Sequence, residues 1–288
     1  MRYRGAGDLR ASEVGLPVWA LLDRPDEQVA DLLAAALDLG VALFDADDWS
    51  QDGRAERLLG AAVRGHRDEV TLATTFGLDT EPRLFEPAAP RPDWSPRSAG
   101  RALDRSLTRL GTEPVDLWQL YQPDADALGA DELFQFLDEQ VVKGKIRAYG
   151  VVLGGPAGPD EGAAALRERG AAAVATVLNA ASPEPGRELA AVAAEAGAAL
   201  LARDPLDALP PAARQRLGFL AQDRGRTLDQ ALLRLVLAEP AVAAALPAPR
   251  DRDHLAELAA AADAAALDAD ELARVAELQA AGGLRGEA

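Results

Sequence analysis

Cysteine is absent from this chain, histidine occurs twice and lysine twice, and each scarcity removes a class of chemistry. Without cysteine there is no disulfide, no thiolate nucleophile and no cysteine–zinc site. His66 and His254 are too few for a multi-histidine centre, so no metal is expected. Both lysines, Lys143 and Lys145, fall in one stretch, Val-Lys-Gly-Lys-Ile-Arg-Ala-Tyr-Gly (142–150), which leaves no lysine ammonium elsewhere. Long apolar runs are missing too. Asp, Glu and Arg break the alanine-rich stretches well short of the ~18–20 residues a membrane span needs. The charged N-terminus has no apolar segment behind it, so the expectation is a cytoplasmic protein with no membrane contact.

Basic charge is in deficit. The formal net charge of −17 excludes a phosphate-binding basic face and hence nucleic acid as a partner, and the acidity is read as solubility. Hydrophobic residues make up 49% and charged residues 27% of 288 positions, enough to bury one large core.

Short apolar runs alternate with segments of helical period. Strands are predicted at 14–18, 42–45, 69–76, 115–121, 146–153, 173–179, 199–203 and 242–246. Helices are predicted at 26–39, 54–64, 98–110, 130–142, 160–169, 186–196, 227–238 and 252–260, with a final one at 268–281. Ser98 and Thr227 are read as helix caps. Eight strands with intervening helices imply an α/β fold, a (β/α)8 TIM barrel, as a single domain over residues 1–288. The stretch 77–96 holds five prolines and Trp94 and reads as a lid or binding loop after the third strand.

Residues 44–60, Phe-Asp-Ala-Asp-Asp-Trp-Ser-Gln-Asp-Gly-Arg-Ala-Glu-Arg-Leu-Leu-Gly, resemble the aldo-keto reductase superfamily, whose pattern there is F-D-T-A-x-x-Y-G-x-G-x-S-E-x-x-L-G. Further matches follow in the family's order. They include Gly15-Leu16 with Trp19, Ser106-Leu-Thr-Arg-Leu-Gly, Val115-Asp-Leu-Trp-Gln-Leu, Gly144-Lys-Ile-Arg-Ala-Tyr-Gly-Val, Ala202-Arg-Asp-Pro-Leu and Leu246-Pro-Ala-Pro-Arg. The resemblance implies NADPH-dependent carbonyl reduction by a tetrad of aspartate, tyrosine, lysine and histidine. Asp45 matches the aspartate. Ser50 stands at the tyrosine, Thr75 at the lysine and Tyr121 at the histidine. Serine is far too weak an acid to replace tyrosine, and threonine carries no charge.

The cofactor positions that the resemblance implies are thinned as well. Pro17-Val18, Val152, Ala175, His254 and Leu258 stand where the family has polar contacts, which leaves Asn179 and Arg250 as weak remnants. The favoured expectation is therefore a pseudoenzyme without a cofactor, its NADP site eroded, binding an unidentified small molecule or protein partner. One alternative is a repurposed cofactor-independent isomerase, lyase or cyclase using Asp45 and Tyr121 as acid and base. Another is an NADPH-dependent reductase with an unusual tetrad. Trp19, Trp49, Trp94 and Arg203 are candidate pocket residues, with packing or ion pairing as their ordinary roles. The acidic stretch around Asp47, Asp48 and Asp52 is read as a solvated turn rather than a cation site.

Overall fold

The computed structural model describes residues 1–284 apart from 7–8, 80–89, 155–156, 208 and 240. Eight parallel strands form the barrel: β1 (Leu16–Pro17), β2 (Leu43–Asp47), β3 (Thr71–Phe76), β4 (Val115–Tyr121), β5 (Ile146–Val152), β6 (Ala173–Val177), β7 (Ala199–Arg203) and β8 (Val242–Leu246). Each pairs in parallel with its sequence neighbour. The circle closes where Val14 bridges Ala245, with Gly15 N donating to Ala245 O at 2.9 Å and Ala245 N to Glu13 O at 2.9 Å. The barrel expected from the sequence is thus the fold observed.

The flanking helices are α1 (Asp26–Asp38), α2 (Arg54–Ala62), α3 (Pro96–Leu110), α4 (Asp131–Val142), α5 (Pro159–Glu168), α6 (Gly186–Ala196), α7 (Leu228–Val236) and α8 (Arg252–Ala259), with Ala269–Ala280 outside them. The cap of α3 is Ser95 and not Ser98. The Ser95 hydroxyl accepts from Ser98 N, and Pro96 takes the first helical position, where a missing N–H costs nothing. Thr227 caps α7 as expected, in a reciprocal box with Gln230.

Two apolar layers result from the strand period of two. Residues such as Phe44, Leu72, Trp118 and Val151 face outward to the helices. Leu43, Ala73, Leu117, Val152, Ala175, Leu201 and Leu246 fill the barrel interior. The antiparallel hairpin Tyr3–Ala6 with Leu9–Ser12, which the sequence reading does not contain, lies across the N-terminal end. Its Ser12 hydroxyl accepts from Ala42 N and Leu43 N at the start of β2, and Thr71 Oγ1 donates to Arg10 O. The opposite, C-terminal end carries the site. Lys143 and Lys145 precede β5 at the N-terminal end, where they pair with Glu139 at 2.9 Å and Asp104 at 2.8 Å.

Candidate active site at the C-terminal rim

Interior positions on successive strands bring Asp45, Thr75, Gln119, Tyr121 and Arg203 to one end of the barrel. Asp45 is 1% exposed. Its carboxylate accepts from Trp19 Nε1 at 3.0 Å and Gln119 Nε2 at 2.9 Å. Both donors are neutral, so they orient the group without compensating its charge. Burial lifts its pKa from the ordinary 3.8 to about 6, against the opposing pull of Arg203.

Two of the three replaced tetrad positions, Ser50 and Thr75, are spent on hydrogen bonds around this acid. Ser50 holds Asp47 twice, with its N–H at 2.7 Å and its hydroxyl at 2.6 Å. Thr75 Oγ1 accepts from Gln119 Nε2 at 3.3 Å. Asp47 is itself held above the usual carboxylate range by burial. Asp47 and Asp48 are each 4% exposed, so the reading of a solvated acidic turn is corrected. Only Asp52 of the three faces water. Behind them lies a buried second acid, Glu56 of α2, hydrogen-bonded by Thr74 Oγ1 at 2.7 Å and Arg109 Nη1 at 3.3 Å.

Aromatic side chains form the walls. Arg203 lies over the Trp19 ring, its Cζ 4.3 Å from the centroid, while the same indole bonds Asp45. Trp49 meets Tyr121 at 4.6 Å between centroids, tilted by 53°. Tyr121 stands one interior step beyond Gln119 on β4 and packs on the apolar barrel lining. Trp94 Nε1 donates to Tyr121 O at 3.1 Å and so fastens the loop after β3 to the end of β4. A β-carbon at Gly77, whose φ is +125°, would stand 2.6 Å from that nitrogen, so glycine is what lets the indole close down. The lid expected over 77–96 lies partly outside the described residues. Its described parts are the hairpin Leu78–Asp79 with Arg91–Pro92 and the Trp94 anchor.

Among the described residues, four of the five non-glycine residues with positive φ follow barrel strands at this rim: Gln51 and Asp52 after β2, Gln122 after β4 and Asp204 after β7. Such conformations cost ~1 kcal/mol or more each and collect where function fixes a loop. Asn179 is buried and its amide is engaged, donating to Asp204 O at 3.0 Å and accepting from Ala181 N and Ser182 N. Asn179 therefore shapes the loops after β6 and β7. Arg250 ends the loop after β8 with an exposed guanidinium, while its N–H donates to His254 Nδ1 at 3.1 Å. Arg24 holds the same loop by donating to Pro249 O at 3.0 Å.

Sequence reasoning missed Gln119 and the Asp48–Glu56 pair. Gln119 was detectable as the residue two before Tyr121, on the same strand face. Among the described residues no group of three or more His, Asp or Glu side chains is placed to hold a metal, and no helix is long and apolar enough to cross a membrane.

Residues 15–280 match the family model described as "Aldo/keto reductase family". The chain is 35% identical over 162 residues to 6-dehydroglucose reductase of Novosphingobium aromaticivorans, covering 52% of this chain and 50% of that one. It is 34% identical over 166 residues to aldo-keto reductase YhdN of Bacillus subtilis, covering 52% and 46%. It thus spans about half the length of the curated relatives it matches. An aldo/keto reductase from Klebsiella pneumoniae, solved in complex with NADP and acetate, superposes with a TM-score of 0.79 at 26% identity, covering 95% of this chain and 93% of that one.

The expectation of a cofactor-free pseudoenzyme with an eroded NADP site is overturned by these matches. The relatives are named as reductases, and one is NADP-bound. The physical error lay in counting lost side chains. Each lost polar contact costs only ~1–3 kcal/mol, and Asp45 and Arg203, both named from the sequence, remain together at the same rim.

Proposed function

Because this chain belongs to the aldo/keto reductase family, we propose that it reduces aldehyde or ketone carbonyls with NADPH, and that Asp45 donates the proton. The observation that carries this reading is the Asp45 carboxyl, buried at the C-terminal rim with its pKa raised to about 6. A general acid works best with a pKa near the operating pH, and a carboxyl at its ordinary value would be almost wholly ionised there.

The donor set fits an anionic dinucleotide at the phosphate end, since the Arg250 side chain has no hydrogen-bond or ion-pair partner among the described residues. Arg250 would hold a phosphate. The bound cofactor would supply the hydride. Trp19 and Gln119 fix the plane of the Asp45 carboxyl through their two hydrogen bonds, so its proton is presented in one orientation. Tyr121, Trp49 and Trp94 wall the approach and exclude water from the acid. After proton transfer the carboxylate is left beside the positive charge of Arg203, which offsets part of its burial cost.

NADPH at about 100 times its Kd should raise the unfolding free energy by ~2.7 kcal/mol. Arg250→Ala should weaken that binding about tenfold, the worth of one charge-assisted contact. Absence of both a saturable shift and NADPH oxidation across a panel of aldehydes would remove the proposal. The lysines provide a control. Lys143→Ala with Lys145→Ala should leave kcat within about twofold, since exposed pairs contribute little. A large loss would mean that the proton path runs elsewhere.

A further inference from the structure

Arg203 ends β7 on the barrel's C-terminal side, with its guanidinium laid over Trp19 and Nε buried without a hydrogen-bond acceptor. A buried N–H without an acceptor is expensive, ~1–3 kcal/mol, and is retained where something else pays that cost. Asp45, Asp47 and Asp204 all feel its charge, yet no ion pair to it is found among the described residues. Trp19 links cation and acid, stacking on one and donating to the other. The guanidinium is thus held next to the acid but not neutralised by it, while the residue as a whole is only partly buried.

We propose that Arg203 contacts the oxygen of the bound carbonyl and stabilises the negative charge that develops there during reduction. This rests on the reductase reading and adds an electrophilic residue to it. Arginine keeps its proton at any working pH, so it cannot be the acid. The division of labour follows. A bound cofactor would supply hydride to the carbonyl carbon, and the C=O π pair would move onto oxygen beside Arg203. The Asp45 proton then goes to that oxygen, giving the alcohol and an Asp45 carboxylate that is reprotonated from solvent. Preorganised donors at a developing oxyanion are worth ~10²–10³ in rate. Arg250 is in a separate loop after β8, so phosphate binding and oxygen binding fall to different arginines.

The test compares wild type, Arg203→Gln and Arg203→Lys with benzaldehyde as substrate and benzoate as a ligand whose charged oxygen stands for the alkoxide. Arg203→Gln should lower kcat about 100-fold. The KM for benzaldehyde should stay within about threefold, and the Kd of benzoate, read by quenching of indole fluorescence, should rise at least about tenfold. Arg203→Lys should recover part of both losses, which a purely structural role would not allow. A retained NADPH thermal shift shows that each variant is folded. Unchanged kcat and benzoate affinity in Arg203→Gln, with wild-type turnover intact, would overturn the assignment and leave the reductase reading standing. No turnover by wild type would overturn that reading and Arg203's part in reduction with it.

Discussion

Asp45→Asn should abolish most carbonyl reduction while making the protein more stable at neutral pH. Loss of a positioned general acid typically costs 10²–10⁴ in rate, and NADPH binding should survive because the phosphate handle lies in another loop. The stability gain follows from linkage. In the folded chain the Asp45 pKa is about 6 against an ordinary 3.8, so the native state holds its proton more tightly than the unfolded one. The stabilising contribution is full below about pH 4 and is lost as the pH rises through about 6. At pH 7 the native protein carries an ionised, buried carboxylate at a cost of about 3 kcal/mol, which asparagine avoids. The amide can be accommodated. Its oxygen can accept from Trp19 Nε1 at the position of the present bond, and Gln119, whose Oε1 has no partner, can turn that oxygen to the new NH2. Thermal unfolding at pH 7 should therefore show a rise of roughly 5 °C. A destabilised Asp45→Asn with normal turnover would contradict both halves of the argument.

Alkaline destabilisation centred on Asp48 is the second large effect expected. Burial, with the neighbouring Glu56, lifts its pKa to about 8, against the pull of Arg105 and Arg109; Asp47 adds to the rise. Its Oδ1 has no hydrogen-bond partner. Since the folded value exceeds the unfolded one, stability is present in acid and declines as the pH climbs through about 8. The decline is limited to about 1.4 kcal/mol per pH unit between the two values. The unfolding midpoint of wild type should fall from about pH 5 to about pH 8, and Asp48→Asn should flatten that fall. Parallel pH profiles for the two proteins would show that Asp48 is ionised without penalty. Glu56, also raised by burial, contributes in the same direction, so the Asp48→Asn profile should retain a residual slope.

Much of the barrel was legible because a buried parallel strand announces itself as a short apolar run. Val115–Tyr121, Ala199–Arg203 and Val242–Leu246 are found where periodicity placed them. The first strand was harder. Only Leu16–Pro17 pairs with β2, while Val14 turns to close the circle with Ala245, a split that no local pattern signals. The N-terminal hairpin was missed because its few polar and glycine-rich residues gain order from docking under the barrel. At the site, the identity of Asp45 was readable but its surroundings were not. Gln119 reaches it across 74 residues of chain and Trp19 across 26, and hydrogen bonds of that span leave no trace in spacing. The pseudoenzyme expectation failed for the same reason. Absent tyrosine, lysine and histidine were visible in the sequence, whereas a raised acid and an unneutralised arginine are properties of packing.

The most direct measurement is the pH dependence of kcat/KM for NADPH-driven aldehyde reduction by the wild-type protein, from about pH 5 to about pH 8. If the Asp45 carboxyl donates the proton, kcat/KM is level in acid and declines above about pH 6, approaching tenfold per unit. A rate that is flat or rising across that interval, with NADPH demonstrably bound, would contradict the account at its centre.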